Sequence, residues 1–110
     1  GGRSIASVAL RFRFAPPNWC RFLKGLDRTI VALDILPRKS GLGSPNLAQA
    51  LHEACGGVIG YAHWVVQDSL TEVLQRNGTD IGTADLAISV GRLFLKFKLY
   101  RRVNAVERLA

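Results

Sequence analysis

The basic side chains of this sequence outnumber the acidic ones by 15 to 8, a formal charge of +7, and part of that excess is interleaved with aromatic rings. Near the C-terminus Lys96, Lys98, Arg101 and Arg102 accompany Phe94 and Tyr100, while Arg11 and Arg13 sit near the start. Cationic groups beside flat aromatic faces suit phosphates flanked by stacked bases, so these residues read as a nucleic-acid surface or as contacts to the phosphates of a nucleotide-bearing cofactor. They also fit the wet face of an antiparallel sheet, where Lys and Arg discourage edge pairing.

Sulfur and imidazole offer less. Cys20 and Cys55 permit one disulfide but form no metal-ligand spacing with His52 and His63, and a reducing compartment is the default expectation. Cys55 is a weak nucleophile candidate, because a helix lowers a thiol pKa only near its N-terminus, and it reads better as a small buried hydrophobe. No His-Asp or Cys-His pairing is spelled out. The pair Gly56-Gly57 marks a kink, a break, or a close approach by another backbone or a ligand.

The elements that must position these residues follow from periodicity. Ser44 is a good N-cap and Pro45 suits the first helical position; Leu47, Leu51, Ala54, Val58, Ala62, Val65, Val73 and Leu74 then keep roughly helical spacing. A long helix is predicted over residues 45 to 76, ending at Asn77-Gly78, with the glycine pair weakening its middle. Beyond it Leu86, Ile88 and Val90 alternate with Ala87 and Ser89, and after a phase shift at Gly91 so do Leu93, Leu95, Phe97 and Leu99 with Phe94, Lys96, Lys98 and Tyr100. Two strand-like runs are predicted there, with Gly91 a bulge or a tight connection.

Before Ser44, Val8 to Phe14 alternates as a strand ending at Ala15-Pro16-Pro17, residues 18 to 26 suit one or two helical turns, and Thr29 to Leu36 is either a buried strand or the end of that helix, with strand the preferred reading. Residues 37 to 44 are a loop by composition. At 110 residues and 48% hydrophobic, one domain with a real core is expected rather than disorder. The longest apolar stretch, near Val58 to Val66, contains His63 and is too short to span a bilayer. There is no initiator Met and no recognisable signal sequence, as expected of a processed or cut-out piece.

The runs SPNLAQALHEACGG, DSLTEVLQRNGTDIG and ISVGRLFLKFKLYRRV together resemble the central part of hotdog-fold acyl-thioester proteins, the thioesterases and hydroxyacyl dehydratases, over about half the chain. The resemblance implies an α+β fold, a long central helix packed against an antiparallel sheet. This chain has fewer strands than a complete hotdog sheet, so truncation or a partner would account for the rest. It also implies acyl-CoA or acyl-carrier thioester hydrolysis or dehydration, with coenzyme A as part of the substrate rather than a separate cofactor, and a homodimer or higher oligomer.

Hotdog enzymes place a carboxylate or histidine in the early turns of the central helix, beside a thioester carbonyl polarised by a helix N-terminal amide, a geometry that stabilises the developing oxyanion while the side chain handles water or a proton. By that resemblance Glu53 and His52 are the general-base candidates, and Ser44 adds a hydroxyl at the site entrance. Gly56 and Gly57 let the thioester approach the backbone, His63 and Asp68 complete the site from a neighbouring subunit, and Lys96, Lys98, Arg101 and Arg102 meet the cofactor phosphates. Three readings result: an acyl-thioester enzyme, a small basic nucleic-acid or ribonucleoprotein module, and a noncatalytic oligomeric scaffold. An apolar slot beside Glu53 favours the first; an open basic-aromatic face favours the second.

Overall fold

Residues 13–110 are described by a computed structural model, and they are helical, with no strand among them. The helices are α1 (Pro16–Ala32), α2 (Pro45–Cys55), α3 (Ile59–Gln75) and α4 (Thr83–Lys96), followed by a short 3-10 helix, Ala105–Leu109. The expected α+β hotdog architecture is therefore overturned. Its only extended pairing within the described residues is an isolated antiparallel bridge between Arg13 and Val58. The proposed strand at residues 8 to 14 lies outside the described residues except for Arg13 and Phe14, and Arg11 lies outside them too.

The segment read as two strands is α4. Leu86, Ala87, Ser89, Val90 and Leu93 are buried, a helical set, while Ile88 and Leu95 are 58% and 70% exposed. Those two outward hydrophobics create the false alternation. A helix needs no bulge at Gly91, because Leu86, Val90, Leu93 and Phe97 already share one face at i, i+4, i+7 and i+11. Asp85 at the third position accepts from the Gly82 amide at 2.8 Å, tying down the first turn. The helix stops at Lys96, and Lys98 takes a left-handed φ of 57° while Leu99 N donates to Phe94 O at 2.8 Å. The charges expected to line a strand face thus fall at a helix end and in the turn after it.

The long helix over 45 to 76 is two helices, and of the outcomes open at Gly56-Gly57 the chain takes the break. Both glycines have positive φ, 63° and 73°, a conformation an L side chain resists, and Gly57 N donates to His52 O at 3.1 Å to close α2. Of the two readings of Thr29 to Leu36 the preferred strand is overturned and the helix end is found: the segment supplies the last turn of α1 and a reversal at Asp34, φ 58°. The loop through residues 37 to 44 is as expected, and Asp27 organises it. That carboxylate is buried and accepts the amides of Ser40, Gly41 and Leu42 at 2.7, 2.8 and 3.2 Å.

Side-chain pairs give the packing. Trp19 Nε1 donates to Ala48 O and Cys20 Sγ to Gly43 O, so α1 and α2 run antiparallel. Arg76 meets Asp85 while Asp68 meets Ser89 and Arg92, so α3 and α4 form an antiparallel hairpin. Trp19, Leu23, Leu51, Val65, Leu86, Val90, Leu93 and Val106 fill the shared core, each aliphatic contributing about 1.5 to 3 kcal/mol of transfer free energy. No helix among the described residues is long and apolar enough to cross a membrane.

Candidate functional site

The antiparallel seam of α1 and α2 opens outward as a furrow with two chemically distinct halves that meet at Pro45. One half, about 420 Å³, has Pro16, Trp19, Pro45 and Ala48 as its apolar walls and Gln49, His52 and Glu53 as its polar ones. The other, about 480 Å³, is basic, with Lys24 and Arg28 from α1, Lys39 from the loop and Ser44 at the start of α2. Close approach sets their relative position: the side chain of Lys24 lies directly over Gly43, where a β-carbon would collide with it.

Helical spacing makes the basic half a row. Arg21, Lys24 and Arg28 stand at i, i+3 and i+7, all exposed on one side of α1. None of them, nor Lys39, forms an ion pair among the described residues, whereas Arg76 and Arg92 are paired with Asp85 and with Asp68 and Glu72. Asp27 also lines this half and offsets part of its charge, but its oxygens are directed to three backbone amides and form no ion pair with the row. The first-turn amides of α2 add partial positive charge beside Ser44.

The sequence candidates distribute unevenly over this geometry. His52 and Glu53 both line the apolar half. His52 Nε2 lies 2.8 Å from Phe14 O; a carbonyl only accepts, so Nε2 carries the proton, and the ring stands edge-on to Trp19 at 5.2 Å. Glu53 is exposed and makes no ion pair among the described residues. Ser44 falls in the basic half.

Gly56 and Gly57 are occupied by the protein itself. A β-carbon at Gly56 would strike the Arg102 guanidinium, and one at Gly57 would lie 2.9 Å from His52 Nε2 and 3.0 Å from Phe14 O. His63 is exposed on α3, and Asp68 accepts from Ser89 Oγ at 2.7 Å and from Arg92 at 3.2 Å, beside a separate recess. Lys96, Lys98 and Arg101 are exposed around the end of α4. Arg102 turns inward, donating to Ala54 O at 3.4 Å and lying 5.8 Å from the Tyr61 ring centroid, so it serves as the cationic stop of α2.

Both cysteines are free. Burial pushes the Cys55 thiol up to about 12, only partly opposed by Arg102, which leaves it inert. Sequence reasoning missed Trp19, Lys24, Arg28, Lys39 and Gln49. The signal for the α1 row was present in the i, i+3, i+7 spacing, but it requires one helix through residues that read as a few turns followed by a strand. No protein-family model, curated protein or solved structure matches this chain.

Proposed function

We propose that the protein is a nucleic-acid-binding module that holds backbone phosphates along α1 and the adjoining loop. The observation that carries the reading is the row Arg21, Lys24 and Arg28, continued by Lys39, on one face without carboxylate partners among the described residues. Unpaired surface cations that neutralise phosphates release the cations condensed on the nucleic acid, which makes the interaction favourable and salt-dependent. Paired arginines such as Arg92 would first have to abandon their carboxylates.

Fluorescence polarisation with a labelled 20-mer across about 50 to 200 mM salt tests this. Four to five phosphate contacts predict a slope of log K against log salt of roughly −3 for a single strand. Lys24→Glu with Arg28→Glu should weaken binding at least about tenfold and flatten the slope by roughly 1.4, two contacts' worth. Reversal at Lys96 and Lys98 should do less. Absence of binding at low salt, or equal effects of the two double reversals, overturns the reading.

The apolar half of the furrow favours a second reading, hydrolysis of an acyl thioester with Glu53 as general base on water, since an acyl chain needs such a slot. It ranks lower because His52 Nε2 is committed to the Phe14 carbonyl and the open amides of α2 stand at the far end of that helix from Glu53. Turnover of an acyl-CoA panel that disappears in a folded Glu53→Ala variant supports it; no turnover removes it.

A further inference from the structure

We propose that the apolar half of the furrow seats one unpaired base of the bound strand and selects bases that carry an exocyclic amino group over uracil. The inference rests on the nucleic-acid reading above and adds to it a subsite with a stated preference. Three observations lead to it.

Position comes first. The apolar half reaches Cys20, four residues or about 6 Å along α1 before Lys24, and the two halves meet at Pro45. A strand whose phosphates lie on Lys24, Arg28 and Lys39 therefore has the apolar half beside it. The charge and the groove belong to one surface.

Second, the walls suit a flat heterocycle. Pro16 and Pro45 are rigid and exposed, while Trp19 and Ala48 are buried beneath them with the Trp19 N–H spent on Ala48 O, so the floor of the groove is carbon and presents no donor. A volume of about 420 Å³ lies within the range of small-ligand sites. Only an unpaired base presents its Watson–Crick edge to such a groove, because in a duplex that edge is used by its complement.

Third, the polar wall discriminates. Gln49 and Glu53 are four residues apart on α2 and exposed on the ridge between the groove and a smaller recess beside Arg108, so both are within reach of an occupant of the groove. Glu53 only accepts when ionised. The exocyclic amino groups of adenine, cytosine and guanine donate to such a carboxylate from a corner of the base edge, whereas uracil's one donor on that edge, the ring N3–H, lies between two carbonyl oxygens that the carboxylate repels. His52, held by Phe14, fixes the end of the groove, and Gln49 supplies one donor and one acceptor to the same edge.

The test uses the full chain and labelled 12-mers of oligo(A), oligo(C) and oligo(U), read by fluorescence polarisation at one salt concentration and then across a salt series. Oligo(A) and oligo(C) should bind about tenfold more tightly than oligo(U), as expected for a hydrogen-bonded base contact. Glu53→Gln and Gln49→Ala, both at exposed positions, should reduce that ratio to below threefold and leave the salt slope unchanged. Lys24→Glu with Arg28→Glu should weaken all three oligomers together. Equal binding of the three by the unsubstituted protein, with binding still lost in the lysine and arginine reversals, overturns the base site and leaves the phosphate surface standing. Failure of every oligomer to bind at low salt overturns both.

Discussion

Arg102 crosses the break between α2 and α3 directly over Gly56, so that the residue closing one helix and the residue covering it are complementary in shape. Gly56 is left-handed, φ 63°, and alanine there meets both backbone strain and the guanidinium. Gly56→Ala should lower unfolding stability by about 1 to 3 kcal/mol in urea titration. Pairing it with Arg102→Ala should recover the steric part but not the strain, giving a non-additive double-mutant cycle. Strict additivity would show that the two positions do not meet.

The buried Asp27 carboxylate is the anchor of the loop that carries Lys39. Alanine leaves the amides of Ser40, Gly41 and Leu42 without that acceptor, and each buried amide left unsatisfied costs about 1 to 3 kcal/mol, less whatever water recovers. Asp27→Ala should therefore destabilise the protein by at least about 2 kcal/mol by denaturant titration, with hydrogen exchange at residues 40 to 42 accelerating more than in α3. Unchanged protection of those three amides would remove Asp27 from this role.

How much of this was legible in the sequence depends on which residues face outward. Pro45 and Ser44 gave the start of α2, and the glycine pair gave its end among the stated options, because both are backbone-determined signals. The turn at Asn77 was readable for the same reason, φ 58° there being a conformation asparagine tolerates. α4 was misread because Ile88 and Leu95 project outward and imitate a period of two; the required phase shift at Gly91 was the sign that a helix fits better. His52 and Glu53, the general-base candidates, both line the furrow, but the meeting of His52 with Phe14 across 38 residues, and of Lys24 with Gly43, depends on tertiary packing that spacing alone does not encode.

Arg76 and Asp85 bridge the ends of α3 and α4 through two hydrogen bonds of 2.6 and 2.7 Å. The Arg76 guanidinium holds the Asp85 carboxyl below the usual carboxylate range, with a further contribution from the Gly82 amide. A depressed folded-state pKa stabilises the protein above the unfolded value near 3.9 and is lost as pH falls through the lower folded value. Asp85→Asn should therefore lower Tm at neutral pH, and the gap from the unsubstituted protein should narrow as the pH falls below about 4. A gap independent of pH would assign the loss to capping geometry instead.

The two thiols should respond differently to a water-soluble disulfide reagent. Cys20 is half-buried at the edge of the furrow, its Sγ 3.2 Å from Gly43 O, whereas Cys55 is buried with its thiol pushed up to about 12. The reactive species is the thiolate, so at pH 7 to 8 both access and ionisation oppose reaction at Cys55. Titration of the native protein should give one fast thiol, absent in Cys20→Ser, and a second only on adding denaturant. A single-stranded oligonucleotide seated in the furrow should slow the fast reaction, because Cys20 lies between the proposed base site and Lys24. If a bound oligonucleotide leaves the rate of Cys20 unchanged, the strand does not pass over that part of the furrow.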